Sequence, residues 1–487
     1  MFTQDQQHAY DILCSGRNCY VTGSAGTGKT HLIQQFIADH RDRVIACAST
    51  GLAAQLLGGT TIHRLFNLST APCPRPGKKH LRILECTDTI VIDEISMVRM
   101  DVFDYVCGII HNEEEKQKRH IQVIVVGDFF QLPPVLKSDE RKVLESFYGR
   151  RVGYAYAFQS DSWAGMRFEP VILKEVVRQE DSRFSSLLDR IKTGDSTALN
   201  EVVSISEKHP PHENAVKICS LNNDAEALNR NCLDQIPQDE LRYQAIVTGD
   251  VRPDEIPCRE LVIKPGCRVM CTANLSDSVV NGSFGTVIGP RINAYDGCEE
   301  IRIQWDDGEK MNVQPAVTTV YTYLMRKRPD GSEYIDRVVS GTIEQYPLRL
   351  AYAITIHKSQ GQTLDACALY ASSIFAPGQI YVALSRVRRL DHLSIIGDIS
   401  VKCLVSEDVL KFYDQLELQL EQSMEMAVKQ KSAPSKRGRK SQWDGLETKL
   451  IRIPVAVEKE LLEYAHYLVE QKRQGMAYDM YPESWTY

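Results

Sequence analysis

The sequence predicts an α/β protein of parallel sheets flanked by helices, and two observations carry that expectation. Short apolar strands alternate with helical stretches over residues 1–165, and the alternation resumes in the second half. One strand–turn–helix junction, Gly23-Ser24-Ala25-Gly26-Thr27-Gly28-Lys29-Thr30, has the glycine spacing of a phosphate-binding loop. Such alternation builds a parallel sheet with helices on both faces and ligands at the carboxyl ends of the strands.

Taken in order, residues 18–22, 43–48, 89–93 and 121–126 read as strands. Each is a β-branched or apolar run that ends in a polar or glycine-rich turn. Residues 71–79 carry Pro72, Pro74 and Pro76, cannot continue a helix, and are expected to protrude. In the second half, 171–174, 216–220, 348–355 and 393–396 are the expected strands, with 181–193 and 223–236 helical between them. From about 261 to 346 the texture becomes glycine-punctuated alternation, which predicts a small antiparallel β barrel inserted into the second α/β domain. Beyond Ser406, residues 408–426 are helical in pattern and 429–440 form a basic linker without an acid. Residues 450–457 and 458–473 then read as one strand and one amphipathic helix. The expected division is 1–165, 166–405 and 406–487.

The bulk numbers set bounds. A chain of 487 residues fits roughly three domains, each with its own core. No apolar run approaches the roughly 18 residues a transmembrane helix needs, and the start lacks a signal-peptide profile, so a cytoplasmic protein without membrane contact is expected. The 14 cysteines are scattered and suit reduced thiols; Cys267 and Cys271 have no second pair at zinc spacing. A net charge of −7 argues against wholesale coating of nucleic acid but permits a local basic channel, since such fields are screened within about 8–10 Å.

The chemistry lies in the motifs. Glycines between strand and helix leave backbone N–H groups free to surround phosphate, and the helix start adds partial positive charge. Lys29 is placed to reach the β- and γ-phosphates, and the Thr30 hydroxyl to hold Mg²⁺. Val91-Ile92-Asp93-Glu94 sets two carboxylates at a strand end, Asp93 for Mg²⁺ and Glu94 as general base toward water. Gln131, in Gly127-Asp128-Phe129-Phe130-Gln131-Leu132-Pro133-Pro134, is placed to hydrogen-bond the γ-phosphate or its water. Arg178 and Arg386 are candidate arginine fingers, and the long interval between the loop and Arg386 suggests a site shared by two halves of the chain.

Assembled, these motifs resemble superfamily 1B helicases of the RecD and petite-integration-frequency (Pif) type, in order over about four-fifths of the chain. Phe2-Thr3-Gln4-Asp5-Gln6 is similar to the family's adenine-reading segment, with Gln6 as base contact. Ala48-Ser49-Thr50-Gly51-Leu52-Ala53-Ala54 and Thr60-Thr61-Ile62-His63-Arg64-Leu65-Phe66 are similar to its strand-gripping motifs. Val177-Arg178-Gln179 matches the motif of the first finger. Ala353-Ile354-Thr355-Ile356-His357-Lys358-Ser359-Gln360-Gly361-Gln362-Thr363 and Tyr381-Val382-Ala383-Leu384-Ser385-Arg386 complete the set, Gly361 being assigned with the nucleotide.

The resemblance implies a DNA-dependent ATPase moving 5′→3′ on single-stranded DNA and opening tailed duplex, in replication, repair or recombination. It implies two RecA-like domains, a wedge near 67–88, an SH3-like insertion, and a functional monomer. Thr50, Thr61 and Thr355 would hold phosphates, His63 and Phe66 would stack on bases, and His357 and Lys358 would contact the strand from the second domain. The short, proline-rich wedge makes translocation more secure than duplex splitting. Residues 406–487 match no family element and could pack, dimerise or bind DNA. An ATPase-switched DNA-binding regulator, or a protein-displacing translocase without efficient unwinding, is the competing class.

Overall fold

The computed structural model describes residues 2–69, 71–73, 81–174, 181–209, 212, 215–295, 297–399 and 404–432, with backbone alone at 254 and 421–432. Arg178, part of the expected wedge, most of the basic linker and the expected elements at 450–473 lie outside the described residues. The chain divides into Met1–Glu417 and Leu418–Tyr487. Of the second, the described part continues a helix that ends at Ser432.

The first sheet is wholly parallel. Its strands are β1 (Cys19–Gly23), β2 (Val44–Ala48), β3 (Thr60–Thr61), β4 (Thr89–Asp93), β5 (Gln122–Val126) and β6 (Glu169–Leu173), in the spatial order β3-β2-β4-β5-β1-β6. Every residue of β1 to β5 is buried, the signature of a parallel sheet covered on both faces. The run at 171–174, read with the second half, instead forms the edge of this sheet by pairing with β1 from Cys19↔Glu169 to Gly23↔Leu173.

A second parallel sheet joins β7 (Val216–Cys219) to three strands far along the chain. Between them come β8 (Leu241–Gln244), β9 (Ile246–Gly249), β10 (Glu260–Ile263), β11 (Arg268–Cys271), β12 (Phe284–Ile292), β13 (Glu299–Trp305), β14 (Lys310–Val313), β15 (Ala316–Lys327), β16 (Glu333–Gln345) and β17 (Leu348–Leu350). The parallel sheet then resumes with β18 (Ala353–Thr355), β19 (Cys367–Tyr370) and β20 (Leu393–Ile396), ordered β18-β7-β19-β20. The intervening strands are antiparallel and include a five-stranded sheet, β14-β13-β12-β11-β17, around Val269, Ile303 and Trp305. Antiparallel texture therefore begins near Leu241, about twenty residues before the composition shift suggests. The single strand expected over 348–355 is two: β17 pairs with β11, and after Ala351 and Tyr352 the chain passes to the parallel sheet as β18.

Two further features tie this unit together. The β15–β16 hairpin reaches the first sheet, where the Tyr323 hydroxyl donates to Ala46 O at 3.2 Å and accepts from Ala46 N at 3.1 Å. Arg337 Nη1 donates to Gly58 O at 2.8 Å, and the buried Arg64 pairs with Glu255 at 2.6 Å. The helix Glu407–Ser432 begins against the first sheet. Phe412 stacks on Phe158 at 4.5 Å, and Tyr413 stacks on Phe130 at 4.3 Å. The Tyr413 hydroxyl lies within 2.9 Å of Tyr20 Oη, donates to Asp128 Oδ1 at 3.2 Å and accepts from Phe129 N at 3.2 Å. Among the described residues no helix is long and apolar enough to cross a membrane.

Candidate functional site

The phosphate loop leaves β1 at Gly23 (φ 154°) and enters the helix Lys29–Asp39 through Gly28 (φ 83°). A Cβ at Gly23 would meet the Leu173 carbonyl, and Gly28 holds a left-handed backbone that strains any other residue, so both positions favour glycine. No side chain caps this helix, which leaves its first-turn N–H groups to be satisfied by something other than a cap. Gln6 is buried against the loop, its Nε2 donating to Thr27 O at 3.4 Å and its Oε1 accepting from Thr3 N. Lys29 Nζ donates to Gly23 O at 2.7 Å and Ser24 O at 3.1 Å. Burial pushes its pKa down, against the pull of Asp128 and Glu94.

Opposite the loop, β4 ends in Asp93. Glu94 follows in the left-handed region (φ 51°, ψ 48°), an unusual backbone for a non-glycine residue that turns its carboxylate into the cleft. Desolvation raises Asp93 to about 6 and Glu94 to about 7, the latter helped by the neighbouring Asp93 charge. Gln131 follows β5 through Gly127.

The second parallel sheet supplies the other wall. β18 ends at Thr355, which caps the one-turn helix Ile356–Ser359, and Gln360 follows. Gln360 Nε2 donates to Glu94 Oε2 at 2.9 Å and to Gln131 Oε1 at 3.0 Å, bridging the two sheets. Arg386 is 1% exposed, and its guanidinium donates to Val382 O (2.6 Å), Ser359 O (3.1 Å), Gln362 O (3.3 Å) and Ser385 Oγ (2.7 Å). Together these groups line a cavity of about 880 Å³, with Ala25–Thr30, Asp93, Glu94 and Gln131 on one side and His357, Lys358, Gln360, Gly361, Arg386 and Arg388 on the other. Thr30 and Asp93 both face it, so a hydroxyl and a carboxylate are available to one divalent cation.

The strand-gripping candidates share one construction. Thr50, Thr61 and Thr355 each stand just beyond or at the end of a parallel strand and cap a short helix, accepting from Ala53 N, Arg64 N and Lys358 N at 3.2–3.4 Å. Their hydroxyls are thus engaged, and the first-turn N–H groups are what each unit has to offer a phosphate. Burial lowers the His357 pKa and favours the neutral ring; Lys358 is exposed. His63 is half-buried. Phe66 corrects the expectation: at 2% exposure it packs in the main core with Ile62 and Leu68 and has no free face for a base.

Three contributors escape sequence reasoning. Gln360 and Tyr381 lie inside recognised motifs whose expected roles fall on neighbouring residues; Tyr381 Oη accepts from Ala25 N at 3.2 Å. Lys192, at the end of the helix Ser182–Lys192, donates to Ser24 Oγ at 3.1 Å and lies over the Phe130 ring, and nothing in the sequence marks it.

Residues 1–202 match the family described as PIF1-like helicase. An ATP-dependent DNA helicase Pif1 from Bdellovibrio bacteriovorus is 32% identical over 437 residues, covering 85% of this chain and 92% of that protein. The chain belongs to the PIF1-like helicase family. An ATP-dependent DNA helicase PIF1 from Danio rerio is 33% identical over 85% of this chain, which spans only 64% of that relative's length. Among PIF1-like structures, Bacteroides sp Pif1 in complex with ADP-AlF4 is similar at a TM-score of 0.73 and 28% identity, covering 86% of this chain and 98% of that one. A Bacteroides Pif1 in complex with ADP-AlF3 and ssDNA is similar at 0.59 and 30%, with the same two shares.

Proposed function

We propose that this PIF1-like chain is an ATP-dependent DNA helicase that moves 5′→3′ on single-stranded DNA and opens tailed duplexes. The observation that carries the reading is one cavity with walls from two parallel sheets, each contributing hydrolytic groups. A nucleotide bound there touches both walls, so its binding and loss change their preferred separation, and grips on either wall then advance along a strand. The Bacteroides relative's complex with ADP-AlF3 and ssDNA supports both ligands.

In this chemistry the N–H groups of Gly23–Thr30, Ser24, Ala25, Gly26, Thr27 and Gly28 among them, cradle the β- and γ-phosphates beside Lys29. Glu94 accepts the proton of the attacking water, Gln131 orients that water, and Arg386, with Arg178, offsets charge on the transferred phosphoryl group. Gln6 and Gly361 border the nucleotide. Thr30 and Asp93 would hold Mg²⁺, which would neutralise phosphate charge; the fit is supported by the desolvated Asp93 carboxylate, a group that a bound cation stabilises. The helix starts behind Thr50, Thr61 and Thr355 hold the strand's phosphates, with His63, His357 and Lys358 beside them. We read the antiparallel strands β8 to β17 as the SH3-like insertion, 67–88 as the wedge, the two parallel-sheet units as the two motor domains with their boundary after β6 rather than at 165, and the unit as a monomer in the cytoplasm.

Duplexes with a 5′ or a 3′ single-stranded tail, incubated with ATP and Mg²⁺, test the reading. Opening of the 5′-tailed substrate alone is expected. A preference for the 3′ tail would overturn the polarity, and ATP hydrolysis indifferent to added strand would overturn the motor.

A further inference from the structure

Gln360 has a place in this cavity that the hydrolytic scheme above leaves unused. A primary amide nitrogen carries two N–H donors, and here one goes to Glu94 Oε2 (2.9 Å) and the other to Gln131 Oε1 (3.0 Å). The amide oxygen is buried and makes no hydrogen bond. The nitrogen's two acceptors are the carboxylate proposed to deprotonate water and the amide proposed to orient that water. While Gln360 holds them, the carboxylate's Oε2 is already engaged by a donor other than water, and Gln131 is turned toward Gln360. The same residue closes the helix Ile356–Ser359, whose start is capped by Thr355 and whose body carries His357 and Lys358. Groups proposed to hold the strand and a group that holds the hydrolytic pair are therefore one helical turn apart on a single rigid piece of backbone.

We propose that Gln360 is a positioning residue that restrains Glu94 and Gln131 until a strand engages the helix Ile356–Ser359, making hydrolysis answer to DNA. The inference rests on the motor reading above. It fixes a direction that a simple supporting role does not: loss of the amide accelerates hydrolysis when no strand is present. Uncoupling, rather than inactivation, is the signature.

The test is steady-state ATP hydrolysis by the full chain, with and without saturating oligothymidine, in Gln360→Met and Gln360→Glu. Methionine keeps the length and volume but has no donor, and glutamate keeps the polarity but repels Glu94. Expected is a rise of at least about threefold in strand-free kcat with KM for ATP close to wild type, and a matching fall in the ratio of stimulated to strand-free rate. A strand-free kcat at or below wild type in Gln360→Met overturns the inference; if that variant does not fold, Gln360→Glu is judged by the same criterion. Failure of the motor reading looks different, because wild-type hydrolysis would then ignore oligothymidine altogether.

Discussion

At the scale of residues, the site separates groups that act on the nucleotide from groups that also hold the protein together. In the proposed scheme Glu94 is of the first kind: its carboxylate faces the cavity, and the isosteric Glu94→Gln is expected to lower kcat by about 10²–10⁴-fold without weakening nucleotide binding or lowering Tm. Hydrolysis rates paired with a fluorescent-nucleotide titration check it. Arg386 belongs to both kinds. Arg386→Ala removes the proposed phosphoryl contact and also takes one donor from each of the carbonyls of Val382, Ser359 and Gln362, so turnover and Tm should fall together, as thermal denaturation beside an ATPase assay will show. A pH profile follows from Glu94. In its proposed role as general base Glu94 must be ionised, and burial raises its carboxyl to about 7, so kcat should be lost as pH falls through about 7 and level off above it. That Lys29, Thr30, Asp93 and Glu94 share one cavity was legible, because the motifs that carry them fix their neighbours along the chain. Gln360 and Lys192 were not, since what matters in each is a contact made across the fold. Phe66 misled for a related reason: a motif gives a residue's type but not which way its ring points.

Among the elements, most strands of both parallel sheets were legible as β-branched runs closed by turns. β19 was not, being the short Cys367-Ala368-Leu369-Tyr370 without a β-branched residue. Nor was the break between β17 and β18, because continuous apolar sequence hides a change of sheet that only hydrogen-bond partners define. The start of the helix Glu407–Ser432 shows the same limit: its helical pattern was plain, its anchorage against the loop after β5 was not. Tyr413 makes that anchorage, and Tyr413→Phe leaves the Phe129 N–H, Thr22 Oγ1 and Asp128 Oδ1 short of a partner. A loss of about 1–3 kcal/mol in unfolding free energy is expected, read by chemical denaturation.

For the whole molecule, the cavity draws both walls from residues within Met1–Glu417. Removal of residues 433–487 should therefore leave strand-stimulated ATP hydrolysis in place, and loss of that stimulation in the truncated chain would transfer the strand site to the removed segment. The overall architecture was legible from alternation and motif order, while the depth of the antiparallel excursion was not, since its first strand, Leu241–Gln244, is half polar and its second, Ile246–Gly249, is only four residues long.

The Tyr323 hydroxyl has a consequence of its own. β3 pairs with β2 only at Cys47 and Ala48, which leaves the Ala46 backbone without a neighbouring strand on that side. One phenol oxygen supplies both the donor and the acceptor that such a strand would have provided to Ala46, which is 0% exposed. If the hairpin withdraws, Ala46 loses both partners at once, so intermediate separations are disfavoured and the hairpin should be found either docked or released. The sheet's margin thereby helps to seat the hairpin, beside Arg337 on Gly58 O and Ile335 N on Asp42 O.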